Sequence, residues 1–101
     1  MGKLENISTE LFIPLTGELA GKIKLYGSIV RQEDDKITDM ENVKFLDSFE
    51  NRNGCTKSEY KKVLNIFIDI GSNHPEKAIR KRAIQDLVQL IQYSYDQLKM
   101  R

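Results

Sequence analysis

The chain has 101 residues, of which 40 % are apolar and 31 % charged, with a net charge of +1. That length suits one domain able to bury a core without staples, and a single helical domain over 1–101 is expected. A lone Cys55, apolar runs as short as Ile66-Phe67-Ile68, and no basic start leading into an apolar stretch argue against a disulfide framework, a membrane span and a signal peptide. A cytoplasmic protein without a membrane partner is the expectation.

The charge is unevenly placed. Residues 1–50 hold six basic and ten acidic side chains, net −4, and residues 51–101 hold ten and five, net +5. Either the halves complement each other inside one fold, or a basic end meets an acidic partner.

In chain order, Leu4, Ile7, Leu11 and Phe12 keep helical spacing until Pro14 stops it, so residues 1–15 read as a short helix or an extended apolar strap. Over 16–32, Leu19, Ile23, Tyr26 and Val30 share a helical face, with Thr16 as cap. The same stretch also alternates as a strand, and Gly21 and Gly27 each disfavour helix by about 1 kcal/mol relative to Ala. The helical face extends further and is preferred, with Gly27 marking a close approach between helices. The alternative is an α+β fold with a small sheet from residues 22–46. Glu33-Asp34-Asp35-Lys36 is a charged turn.

Thr38 and Glu41 have capping-box spacing ahead of Val43, Leu46 and Phe49, which predicts a helix over 38–50. Asn51-Arg52-Asn53-Gly54 is a turn, with Gly54 free to adopt a left-handed backbone. Thr56 and Glu59 repeat the capping box before a helix that turns Tyr60, Val63, Leu64, Phe67 and Ile70 inward and stops at Gly71. A last helix over 74–99 follows, with Asn73 as its cap and Pro75 in its first turn. Its apolar face has two rows, Ile79, Ala83, Leu87, Leu90, Ser94 and Leu98, and beside them Ile84, Val88, Ile91, Tyr95 and Leu98. A stripe that wide predicts packing by neighbours on two sides. The expected object is therefore all-α, about four helices with a C-terminal helical hairpin. If three shorter helices leave part of the stripe uncovered, a homodimer through the last helix would bury the remainder.

Little of this sequence has the spacing that chemistry needs. One His and one Cys, eighteen residues apart, do not form a zinc site, and the acidic residues 33–41 lack the ligand alternation and central Gly of a calcium loop. Cys55 and His74 each stand at a helix start, but nothing in the sequence joins them as a dyad. Residues 16–22 superficially look like a P-loop ending, yet Ile23 follows the lysine where Ser or Thr is required. No catalytic residue, metal or cofactor is expected.

One surface feature resists a purely structural account. Lys77, Arg80, Lys81 and Arg82 occupy the first two turns of the last helix, where the macrodipole favours anions. Either the acidic stretch at 33–50 and water compensate them, or they anchor an anionic partner. The resulting expectation is a non-catalytic protein-binding, inhibitory or accessory protein meeting an acidic protein surface, of the small kind frequent in bacteria and their phages. The runner-up is a nucleic-acid-binding or regulatory protein using the 77–82 cluster. Near-neutral total charge and the lack of interleaved aromatics place it second.

Overall fold

The computed structural model describes residues 12–31 and 40–99. In chain order these form β1 (Phe12–Pro14), α1 (Gly17–Arg31), α2 (Met40–Asp47), β2 (Gly54–Thr56), α3 (Lys57–Asn73) and α4 (Lys77–Lys99). Helix accounts for 79 % of the described residues, so the protein is a small mostly-α fold with four helices and a two-stranded ribbon among them. The chain divides into two compact units, Met1–Lys57 and Ser58–Arg101.

In the first unit α1 is a helix throughout, which corrects the alternative of a sheet from residues 22–46. The Thr16 side chain caps it: Oγ1 accepts the Leu19 N–H at 3.1 Å, and the Thr16 carbonyl accepts the Ala20 N–H at 2.9 Å. Ala20, Ile23 and Tyr26 are buried on the face the 3.6-residue period marks. They belong to the same core as Val43 and Leu46 of α2.

Gly27 is where α1 meets α2. A Cβ there would stand 2.7 Å from Asp47 Oδ1 and 3.5 Å from Leu46 Cβ. Helix propensity is given up at this point for a closer approach. Arg31 then pairs with Asp47 at 2.8 Å and Lys24 with Glu50 at 3.1 Å, so cations of α1 find acids within their own unit.

α2 ends at Asp47, short of the expected 50, because its last residues tighten into a turn. Phe49 and Glu50 donate to the carbonyls of Leu46 and Asp47, three residues back. Phe45 and Phe49 meet edge to face at 5.2 Å, and the Arg52 guanidinium lies 4.8 Å over the Phe49 ring.

The ribbon is the element the sequence reading did not pair. Its antiparallel register sets Phe12 against Thr56, Ile13 against Cys55 and Pro14 against Gly54, and Leu15 N–H donates to the Asn53 carbonyl at 2.7 Å. Of the two expectations for residues 1–15, the extended strap holds over 12–14. Ile13, Leu15 and Cys55 are buried. Gly54 pairs as a strand residue and its φ is not positive, which corrects the left-handed turn expected there.

In the second unit α3 runs past Gly71 to Asn73, and the connection to α4 is only His74-Pro75-Glu76. Gly71 is therefore no helix stop. A Cβ on it would stand 2.5 Å from Ile84 Cδ1, so its bareness admits the α4 side chain. Asn73 is not the cap of α4 either: its amide donates back to Asp69 Oδ1 at 2.7 Å. The first intrahelical acceptor is Glu76, whose carbonyl takes the Arg80 N–H at 3.1 Å. His74 Nδ1 accepts the Glu76 N–H at 3.0 Å, holding the turn.

Tyr60, Val63, Ile66, Phe67 and Ile70 of α3 are buried, as are Ala83, Asp86, Leu87 and Leu90 of α4. The Tyr60 hydroxyl donates to the Leu90 carbonyl, tying the two helices from inside the core.

Candidate partner-binding face of the helical hairpin

The broad apolar stripe of α4 splits in two. Ala83, Leu87 and Leu90 are buried, whereas Ile84, Val88, Ile91 and Tyr95 are 43 %, 58 %, 49 % and 60 % exposed. Packing on two sides is thus corrected: neighbours cover one row only. The reason is geometric. At about 100° per residue the two rows lie on separate flanks of the helix, and a single antiparallel partner covers one of them. Ile68 of α3, one turn before Gly71, is 46 % exposed.

The four cations expected as a partner-binding cluster, Lys77, Arg80, Lys81 and Arg82, differ in their contacts within the chain. Arg80 Nη1 donates to the His74 carbonyl at 2.6 Å and to the Pro75 carbonyl at 3.2 Å. Its guanidinium is thereby committed to closing the α3–α4 turn. Arg82 turns the other way along α4, where Nε reaches Asp86 Oδ2 at 3.3 Å. Asp86, 3 % exposed, is the buried charged side chain among the described residues. The sequence reading overlooked it, although a carboxylate four residues after an Arg on a helix signals such a pair.

Lys77 and Lys81 remain. Both are exposed, and among the described residues neither is held in an ion pair. They flank a shallow hollow whose other lining residues are Gly71, Arg80, Ile84 and Gln85. Ile84 thus belongs both to the hollow and to the open apolar row.

The acidic residues Glu33, Asp34, Asp35 and Asp39, expected as a counter-charge, lie outside the described residues, as do the candidate cap Thr38 and the side chain of Leu98. Cys55 is fully buried in β2, and His74 Nδ1 is occupied by the turn. Among the described residues no group of three His, Cys, Asp or Glu could hold a metal ion. No helix among them is long and apolar enough to cross a membrane. The chain matches no family model, no curated protein and no solved structure, so the face is read from its own geometry.

Proposed function

We propose that the chain is a non-catalytic protein-binding protein, acting in the cytoplasm as an inhibitor or accessory factor, and that its working surface is the open face of the α3–α4 hairpin. The observation that carries this reading is the exposed row Ile84, Val88, Ile91 and Tyr95 along one side of a helix whose other apolar row holds the buried Ala83, Leu87 and Leu90. Singly exposed apolar residues such as Leu25 and Met40 are ordinary, but a contiguous row rimmed by polar residues marks an interaction site. Lys77 and Lys81 at its end favour a partner with an acidic surface.

The nucleic-acid reading loses support on the same ground. Arg80 is committed to the turn and Arg82 shares its Nε with Asp86, so the cluster offers a phosphate backbone less than its four charges suggest. Binding to mixed DNA and RNA across a salt series tests it directly, since phosphate contacts weaken steeply with salt.

Val88→Glu sets a charge in the middle of the open face at a position that is mostly solvent-exposed. Capture of partners from the native host, read by mass spectrometry, is expected to lose its specific partner with this variant while circular dichroism stays unchanged. Retention of the same partner by a folded Val88→Glu chain overturns the proposed surface.

A further inference from the structure

The open row has a spacing of its own. Ile84, Val88, Ile91 and Tyr95 are separated by four, three and four residues, and Lys77 and Lys81 continue the alternation backwards as four and three. Six positions from Lys77 to Tyr95 therefore form one seam with a 3.5-residue period. A row of this period is one that another helix fills, its side chains seating between alternate positions. At 1.5 Å per residue it runs about 27 Å, five turns of a helix.

We propose that the occupant of this face is an amphipathic helix of another protein, apolar along one row and acidic at the end that lies over the start of α4. The inference rests on the protein-binding reading above and specifies the partner's chemistry.

Charge argues against a second copy of the chain paired in parallel, where Lys77 and Lys81 fall on seam positions and meet their own equivalents along a desolvated seam, which is costly. An antiparallel second copy is told apart by the oligomeric state of the chain.

A helix with Asp or Glu at that end removes the conflict. Its carboxylates reach Lys77 and Lys81 at the rim of the hollow, while the stems of those acids lie over Gly71 and Ile84 on its floor. The same anions answer the positive end of the α4 macrodipole, which the two lysines otherwise aggravate.

Two designed helical peptides of about 21 residues test this, each with Leu along a three-heptad row. One carries Glu in its terminal two turns and the other Lys at the same positions. Titrated against the full chain at low salt, the acidic peptide is expected to bind about tenfold tighter or more, with the gap narrowing at high salt. The double variant Lys77→Glu, Lys81→Glu should reverse the preference. Val88→Glu should remove binding of both peptides, with Tyr95→Glu as a second seam variant should Val88→Glu fail to fold.

Equal binding of the two peptides, lost in Val88→Glu, overturns the acidic-helix inference and leaves the protein-binding face standing. Failure of both peptides, together with a dimer that Val88→Glu dissociates, assigns the face to a second copy and overturns the inference. Failure of both with a monomeric chain also overturns it. The partner capture described above then decides separately whether the face binds protein at all.

Discussion

Arg80 shows how a charged residue can look functional in sequence and be structural in the fold. Its guanidinium holds the carbonyls of His74 and Pro75, two acceptors that a three-residue connection leaves without helical partners. Removing it takes the donor from the part-buried bond to the His74 carbonyl, while the exposed Pro75 carbonyl turns to water, whereas Lys77 and Lys81 touch nothing comparable. Arg80→Ala is therefore expected to destabilise the protein by about 1 kcal/mol, and Lys77→Ala to change stability by less than about 0.5 kcal/mol. Urea denaturation of the two variants checks this. Equal effects would mean that Arg80 is not the clasp of the turn. Glycines at this scale act by absence. Gly27 leaves room for Asp47 and Gly71 for Ile84, and neither adopts a left-handed backbone.

For the elements, the question is which side of α4 carries the fold. Phe67 is fully buried and Leu87 nearly so, while Val88, the next residue along, is more than half exposed. Phe67→Ala and Leu87→Ala should each cost about 2–5 kcal/mol, since truncation leaves a cavity that the hairpin cannot fully close. Val88→Ala should cost under about 1 kcal/mol, because that side chain keeps much of its exposure in the folded state. Thermal melts of the three variants distinguish the rows. A loss at Val88 matching that at Leu87 would show the open row to be covered within the chain. Tyr60 adds a polar tie to the buried side, its hydroxyl given to the carbonyl of Leu90.

Over the whole molecule, the division at Lys57 coincides with a change in charge. The first unit holds eight basic and ten acidic residues, net −2, and the second eight and five, net +3. The first unit's described ion pairs are internal, Lys24 with Glu50 and Arg31 with Asp47. The second keeps Lys77 and Lys81 unpaired among the described residues, on its open face. Helix dominates the described residues of both units, so far-ultraviolet circular dichroism should show helix far above the usual share of about a third, with little strand signal. A content near that third would contradict the architecture.

Periodicity was enough to place the helices, though not all of their ends. The 3.6-residue rows of Ile23 and Tyr26, of Val63 and Phe67, and of Ala83 and Leu90 identify their buried faces, and Thr16 marks a start, because these are local properties of the chain. The pairing of 12–14 with 54–56 was not legible: three-residue strands carry almost no period, and their partner lies some forty residues away. Nor was the open face. Sequence shows that Leu87 and Val88 are both apolar, but only the position of α3 decides that one is covered and the other left out. The cations divide in the same way. Their sequence spacing groups Lys77, Arg80, Lys81 and Arg82 together, and in the fold the turn carbonyls take Arg80 while Asp86 pairs with Arg82. Burial and pairing depend on what the rest of the chain brings alongside, and that is information a helix does not carry by itself.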